Sequence, residues 1–468
     1  MALINIINRA FIPSTLRIEA EFYKKEYLDL KAKLLSLKHT TIARVTSQSI
    51  MTGHTPSMKN PNYYGGEIKF IKTDNLRDNE ITRDFTHTLS ANGNKQIART
   101  NLIYNDLLIT IIGATHEIIG RSCLVDIDIL PANINQNIAL VRVDKRKILP
   151  EFLLVYLMTI YGKKYLHYLS RQTGQVNLNC QEVGQLIVPI FSNEFQNKIC
   201  HITTETRQLK AESLAKYKLA NNLLLNEIGL LDWQPMNKST FSKSLMEVKN
   251  AKRSDAEHFQ PKYDAILKKI TSCKHGSSVI RKKFTQVLTT KEKINSKYYY
   301  TEIGDVNIHT SDVESNFIGT NNLPANAKYF VENGDLLISK VRPYRGAVGI
   351  VEKQSDDLIV SSAFTILREN SDYFKETLQV LMRTNLYKNL LMKWNIGTSY
   401  PVIRDKDILN LLIPNISAKI QLEIRNLVKE SHSARKKAEN LILIAKETLE
   451  IAIEQNEEMA LLFLNKSY

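Results

Sequence analysis

From Asn193 to about Leu231 apolar residues recur at helical spacing, at Phe195, Ile199, Ile202 and Leu209. After a four-residue shift of phase they resume at Tyr217, Leu224, Ile228 and Leu231. No Gly or Pro interrupts this run before Gly229. A second run keeps the same 3–4 spacing more evenly through Ile424, Leu427, Ala434, Ala438, Leu441, Ala445, Leu449, Ala452, Met459 and Phe463 to the C-terminus. Such stripes predict two long helices, each with a seam for another helix, and the small alanines favour close approach of one to the other. Burial of the same stripes against the chain's own globular modules is the alternative. A helix of roughly 38 residues is about 57 Å long, enough to hold modules at its two ends well apart.

Between the stripes the pattern changes to short apolar strings bounded by turn residues, and these strings recur. Arg17-Ile18-Glu19-Ala20-Glu21 through Tyr27 and Lys33 returns as Arg253-Ser254-Asp255-Ala256-Glu257 through Tyr263 and Lys269. Asn105-Asp106-Leu107-Leu108-Ile109 returns as Gly334-Asp335-Leu336-Leu337-Ile338. Leu186-Ile187-Val188-Pro189 with Gln196 and Ile199 returns as Leu411-Leu412-Ile413-Pro414 with Gln421 and Ile424. Three matches in the same order predict two copies of one plan: a lead-in segment, a mixed α/β module, then a long helix. The expected division is an N-terminal lead-in at 1–38, a first module at 39–191 and a first spacer helix at 192–234. A Ser-, Lys- and Asn-rich linker follows at 235–252. The second module spans 253–416, with its own lead-in at 253–270, and the second spacer helix spans 417–468.

Composition narrows the class. With 468 residues and 43% hydrophobic content the chain can bury full cores, so disorder is not expected. A formal charge of +15 favours a polyanionic partner, because each phosphate neutralised by Lys or Arg releases counterions. The four cysteines, Cys123, Cys180, Cys200 and Cys273, show no C-x-x-C pair and no zinc-ligand spacing, which fits a reduced cytoplasmic compartment. Met1–Pro13 lacks a charged leader followed by a long apolar core, and no apolar run approaches the roughly 20 residues that span a bilayer. A soluble, unprocessed protein with no membrane partner is therefore expected.

Candidate chemistry concentrates at strand ends. In the first module Thr52-Gly53-His54-Thr55-Pro56 leads to Tyr63-Tyr64-Gly65-Gly66-Glu67-Ile68-Lys69-Phe70-Ile71. The Tyr-Tyr-Gly-Gly turn is expected to hand over to a strand, with Lys72, Thr73 and Asn75 at its polar exit. Lysine and threonine suit phosphate oxygens, and asparagine can pair bidentately with an adenine edge. Thr55, Tyr63, Tyr64 and Lys69 are further candidates in this stretch. The second module has neither G-x-T-P nor Y-Y-G-G. Arg281 and Lys282 lie where the first motif would be, and Tyr298-Tyr299-Tyr300 stands where the strand is expected. Lys340, Arg342 and Arg345 suit guanine edges or phosphates, and their counterpart in the first module holds Thr115 beside His116, a histidine better explained as a surface residue than a catalytic one. Arg171 and Gln175, and Ser399 and Tyr400, lie on matching loops before the final strands. All these loops are candidate DNA contacts, with simple chain reversal as the alternative.

The G-x-T-P followed by Y-Y-G-G-x-I-x-F-I resembles the target-recognition domains of type I restriction–modification specificity subunits. The Arg-x-(Asp/Glu)-Ala-Glu lead-in, the (Gly/Asn)-Asp-Leu-Leu-Ile turns, the exits before Gln196 and Gln421 and the helical stripes are similar to that family over nearly all of the chain. The resemblance implies an α+β chain: two mixed α/β target-recognition domains related by an internal repeat and separated by two long antiparallel coiled-coil-like helices. It implies a non-catalytic subunit for phage defence that reads a bipartite target on double-stranded DNA, one half per module. It also implies two docked adenine-N6 methyltransferase subunits, to which two restriction subunits can be added. S-adenosylmethionine, ATP and Mg would then be bound by those partners and no cofactor by this chain. Ile199, Ile202, Leu209, Leu224, Ile424, Leu427, Leu441 and Leu449 would form the spacer seam.

Enzyme chemistry finds little support in the motifs. Asn60-Pro61-Asn62-Tyr63 lacks the second proline of an amino-methyltransferase tetrad, and no Gly-rich strand-to-helix turn precedes it. Asp335 and Lys340 stand near one another as in a nuclease, but the repeat assigns Asp335 to a turn. No P-loop occurs. A scaffold that assembles enzyme subunits through its helices without binding DNA remains the second hypothesis.

Overall fold

The computed structural model describes residues 20–115, 117–172, 176–353, 355–397 and 400–468. Arg17, Ile18, Glu19, His116, Gln175 and Ser399, named above, lie outside the described residues. The chain forms two compact units, one running to Lys210 and taking in Arg435–Tyr468, the other formed by Ala211–Ala434.

In the first unit the lead-in helix Lys25–Ser36 buries Leu30 and Leu34, and the strand after it, His39–Thr41, pairs antiparallel with the exit strand Ile187–Pro189. This pairing closes the module at its base. A four-stranded antiparallel sheet follows in the order Met51–Thr52, Ile138–Val141, Leu107–Thr110, Ser122–Leu124. Leu107–Thr110 is buried at every position, as its unbroken apolar run requires of a central strand. A second sheet places Tyr64–Ile71 between Thr88–Leu89 and Ala132–Ile134, the last pair being parallel with Lys69 opposite Ala132. The helix Pro150–Met158 is apolar apart from Glu151 and buried throughout. It stops at Thr159, whose hydroxyl accepts from Gly162 N and starts Ile160–Leu169.

The second unit repeats the main strands of this plan. Its lead-in helix Pro261–Thr271 buries Tyr263, Ile266 and Ile270, and Ser277–Val279 pairs with Leu412–Pro414. The four-stranded sheet runs Phe284–Gln286, Phe364–Glu369, Leu336–Ser339, Val348–Ile350. In the second sheet Lys297–Thr301 lies between Asn316–Gly319 and Leu358–Ser361, again with one parallel pair, and Ala327–Phe330 adds an outer strand. The helices Lys375–Arg383 and Asn385–Leu391 meet at Thr384, which caps the second as Thr159 does in the first unit.

Side chains that hold each copy together are repeated as well. Asn105 and Gly334 both adopt left-handed backbone, with φ of 67° and 95°. The buried carboxylates that follow, Asp106 and Asp335, bind Arg142 at 2.7 Å and Arg368 at 2.8 Å and also accept from the backbone N–H of Ile103 and Glu332. Gln196 and Gln421 each accept from the N–H at the start of a buried helix, at Leu149 and Phe374, and donate to a carbonyl five residues back, at Phe191 and Ile416. These are the positions at which the sequence repeats.

The long helices are Asn193–Glu227, 35 residues, and Ala418–Glu454, 37 residues. Each contributes part of its length to each unit. In the first unit Ile199 and Ile202 share an apolar cluster with Leu441, Ala445, Leu449 and Ala452, with Leu209 at its margin. In the second, Ala220 and Leu224 do so with Ile424 and Val428, with Leu427 at the margin. Contacts such as Ser213 with Ser431 and Lys216 with Glu430 run antiparallel within that unit. The same clusters hold module residues, Phe152 and Ile187 in one and Tyr387 and Ile413 in the other. The seam therefore serves helix pairing and module packing at once.

Three expectations change. The first long helix ends at Glu227, short of Leu231, because Gly229 turns left-handed at φ 67° and Leu230 N bonds back to Leu225 O. The second run is not one helix to the C-terminus. It breaks after Glu454, and Asn456 caps a separate helix, Glu457–Ser467, by accepting from Met459 N, which leaves Met459 exposed. The Gly65-Gly66 pair is not a turn ahead of a strand but an irregularity inside it, where the register against Leu89 shifts between Tyr64 and Ile68. A Cβ on Gly66 would come within 2.5 Å of Leu89 O, so only glycine fits there. Between the modules, 235–252 contains a short helix, Leu245–Ala251, started by a Ser244–Glu247 capping box.

Candidate nucleic-acid interface

The Gly53–Asn75 stretch of the first unit is held largely by its own polar groups. Gly53 lies against the next strand so closely that a Cβ would meet Ile134 O at 1.9 Å, which explains glycine in this motif. Thr55 donates to Gln136 Oε1, and the Tyr64 hydroxyl donates to Pro56 O, with burial pushing the phenol above its usual range. Tyr63 is half-buried and accepts from Ser90 N through its carbonyl. Lys69 Nζ donates to Leu130 O at 3.3 Å. Lys72 lies 5.8 Å from the Phe70 ring, and burial holds its pKa below the usual lysine value although Asp74 opposes this. Thr73 is half-buried.

Asn75 does not reach the surface. It is 5% exposed, its Oδ1 accepts from Lys72 N at 3.0 Å, and its Nδ2 faces Thr82 and Asp84. The residue shapes the 3-10 turn Thr73–Asn75 rather than offering an edge to a base. The second unit has the same turn at Ile303–Asp305, where Glu302 N donates to Asp305 Oδ2 at 2.8 Å. The polar residue of both turns is thus an internal cap, which sequence position alone does not distinguish from an exposed reader.

The candidate loops come together in pairs. In the first unit Ile112–Gly113 bonds to Val176–Asn177, which bonds to Arg171–Gln172, so the Thr115 loop and the Arg171 loop are neighbours. Thr115 is exposed, and Arg171 is braced by Glu182 at 2.9 Å. In the second unit Val341 bridges Val402, and Arg342 N donates to Pro401 O at 2.7 Å. Arg342, in left-handed backbone, lays its guanidinium 4.5 Å from the ring centroid of Tyr400, itself 61% exposed. Tyr344 and Arg345 stand out into solvent on the same turn. Lys340 is withdrawn from this group: its ammonium bonds Asp405 at 2.9 Å and its side chain is 15% exposed. Arg281 and Lys282 are exposed on the 3-10 turn that follows the first strand, a turn bonded through Ile280 N to Leu411 O.

Residues that the motifs do not reveal lie on the second unit's sheet. Lys297 sits 5.5 Å from the ring centroid of Phe317, Lys353 3.5 Å from that of Tyr299, and the two rings are 4.7 Å apart. Lys328 over Tyr329 and Lys291 over Phe330 extend the pattern. The only sequence signal is the alternation in Lys297-Tyr298-Tyr299-Tyr300, which puts Tyr298 and Tyr300 in one core and Tyr299 on the opposite face.

Each module is also fastened to its long helices by charge. In the first unit Glu80 meets Arg435 at 3.0 Å, Lys210 Nζ donates to Asn79 O at 2.7 Å, and Arg207 meets Asp126 and Asn105. Burial alone would raise the Glu80 carboxyl, but Arg435 and Lys210 outweigh it and hold the group below its usual range. Burial likewise depresses Lys210 in spite of Glu80. In the second unit the helix offers His432, between Asp312 at 3.2 Å and Glu352 at 2.8 Å.

The stretches weighed as enzyme motifs are structural. Asn60 caps the turn Pro61–Tyr63 by accepting from Asn62 N, and Asp335 and Lys340 bind different partners, Arg368 and Asp405. Among the described residues no group of three or more His, Cys, Asp or Glu side chains is placed to hold a metal, and no helix is long and apolar enough to cross a membrane.

The described residues thus form a duplicated α/β module with a pair of long helices, and each copy brings two exposed loops together. In sequence the chain is similar to the Type I restriction enzyme EcoBI specificity subunit of Escherichia coli, to which it is 27% identical over 220 residues. That match takes in 46% of this chain and 44% of the relative, so it spans less than half of the relative's length. No protein-family model matches the chain. Solved structures similar over most of the chain include the type I restriction–modification S subunit from M. genitalium, at TM-score 0.45 and 12% identity, covering 89% of this chain and 96% of that one. The HsdS subunit from Thermoanaerobacter tengcongensis gives TM-score 0.27 at 13% identity, covering 92% and 96%. A chain from a study of complex assembly and conformational transition of the type I R-M system gives 0.29 at 12%, covering 92% and 97%.

Proposed function

We propose that this chain is the non-catalytic specificity subunit of a cytoplasmic type I restriction–modification assembly, and that each module reads one half of a bipartite DNA target. Supporting this is one observation above the rest: two copies of the same topology each bring a pair of exposed polar loops side by side, Thr115 with Arg171 and Arg342 and Arg345 with Tyr400. Two methyltransferase subunits dock on it, restriction subunits join them, and S-adenosylmethionine, ATP and Mg belong to those partners. Its own part is to place arginines on phosphates and base edges.

Binding of the full chain to a random-sequence duplex, titrated with salt, tests this against a scaffold that does not bind DNA. With about six phosphates engaged, affinity falls by about three decades between 50 and 200 mM salt. Binding that is absent, or flat with salt, overturns the proposal in favour of the scaffold.

A further inference from the structure

The two modules place different chemistry at one position of the same sheet. Each has a strand paired in parallel on one side and antiparallel on the other. In the first unit Lys69 lies opposite Ala132 in the parallel partner and Thr88 in the antiparallel one. In the second unit Tyr299 lies opposite Leu358 and Phe317 in the corresponding partners. The turn whose capping residue comes three positions later, Lys72 or Glu302, is closed in the same way in both copies, which fixes the equivalence of Lys69 with Tyr299 and of Thr88 with Phe317.

Phe317 is 58% exposed on an edge strand, a costly place for a phenyl ring that only packs. Tyr299 supports it from one side at 4.7 Å, and Lys353 covers the tyrosine from another. Lys297 and Lys353 have no carboxylate partner among the described residues, so both ammonium groups keep protons to offer an anion. A flat, supported aromatic face flanked by two unpaired cations matches what proteins use for nucleic-acid bases, where the ring stacks and the lysines take the neighbouring phosphates. An apolar protein partner would gain nothing from the lysines, and a phosphate alone would gain nothing from the ring.

We propose that Phe317, backed by Tyr299, is a stacking platform for an unpaired DNA base, with Lys297 and Lys353 on its flanking phosphates. This rests on the DNA-reading function proposed above and adds to it a contact made by one module only. The first module, with Lys69 and Thr88 at the same position, lacks the platform.

The test uses the full chain with two fluorescent probes: a 30-base-pair random-sequence duplex, and the same duplex with a three-base mismatched bubble. Wild type binds the bubble about fivefold or more tightly than the paired duplex, the lower end of one base–aromatic stack. Phe317→Leu keeps an apolar side chain without the aromatic face, and it brings the two affinities to near parity while binding to the paired duplex changes less than twofold. The Lys297→Gln, Lys353→Gln double variant weakens the bubble complex and lowers its salt slope by about two. An unchanged thermal melt confirms that Phe317→Leu folds. If wild type binds the paired duplex with steep salt dependence but shows no bubble preference, or keeps it in Phe317→Leu, the platform is overturned and the DNA-reading function stands. If neither probe binds with salt dependence, both fall.

Discussion

The two units share a skeleton and differ in what they place on it. Asp106 with Arg142 and Asp335 with Arg368 do one job in both, as do Gln196 and Gln421, and Thr159 and Thr384. All of these groups satisfy buried backbone or close a turn. Outside that skeleton the copies diverge: a Glu80–Arg435 clamp against a His432 bridge, Lys69 and Thr88 against Tyr299 and Phe317, Arg171 braced by Glu182 against an exposed Arg345. A chain built by duplication has to repeat whatever folds the module, because buried polar groups left unpaired are expensive. It is free to vary what stands on the surface.

The clamp offers the largest contrast. Glu80→Gln removes the carboxylate that Arg435 and Lys210 share, leaving Glu439 beside Arg435, and costs the first unit about 3 kcal/mol or more. Hydrogen exchange of Leu107–Thr110 reports it, with Leu336–Ser339 in the second unit as the internal control. The acid limb adds a sign. Glu80 titrates lower folded than unfolded, so its stabilisation is present above the unfolded carboxylate value, about 4.3, and is lost as pH falls through the lowered folded value. The gap between wild type and Glu80→Gln therefore narrows below about pH 4. A gap that stays constant down to pH 3 would show that the carboxylate is not held by its two cations.

A smaller effect tests whether the repeated pair does the same work in both copies. Asp106→Ala removes the partner of an Arg142 that is itself mostly shielded and destabilises the first unit by about 3 kcal/mol. Asp335→Ala does the same in the second unit, but Arg368 is 40% exposed, so water compensates part of the loss and the cost is about 2 kcal/mol. Urea midpoints followed separately for each unit give both values. Equal loss in both units from either single variant would contradict their independence.

What the sequence discloses and what it hides follow the same division. The repeat, the alternation of strands and the helical stripes are legible because they are patterns of burial, and Asp106, Asp335, Gln196 and Gln421 are visible as recurring letters. The end of the first long helix at Gly229 and the break at Asn456 were marked by residues with known capping habits, yet periodicity alone ran past both. Surface assignments are less legible. Asn75 looks like a base reader and is an internal cap, while Lys340 looks free and is bound to Asp405. Phe317 carries no motif, because its setting is made by Tyr299 and Lys353, which lie far from it in sequence.

The smallest expected effect bears on the loops themselves. Arg345 is exposed with no partner among the described residues, whereas Arg171 already gives its guanidinium to Glu182. If both loops face DNA, Arg345→Gln removes one full phosphate contact and lowers the salt slope by about one. That amounts to less than about fourfold in affinity between 50 and 200 mM salt. Arg171→Gln removes a charge that must first leave its carboxylate, so the slope changes by well under one, and Glu182→Gln, by freeing Arg171, raises affinity instead. Measured on one duplex under one set of salts, the ranking of these three variants separates a charge that is held from a charge that is offered. If Arg171→Gln lowers the slope more than Arg345→Gln, the ion pair with Glu182 does not persist in the complex, and the two loops have to be assigned in the reverse order.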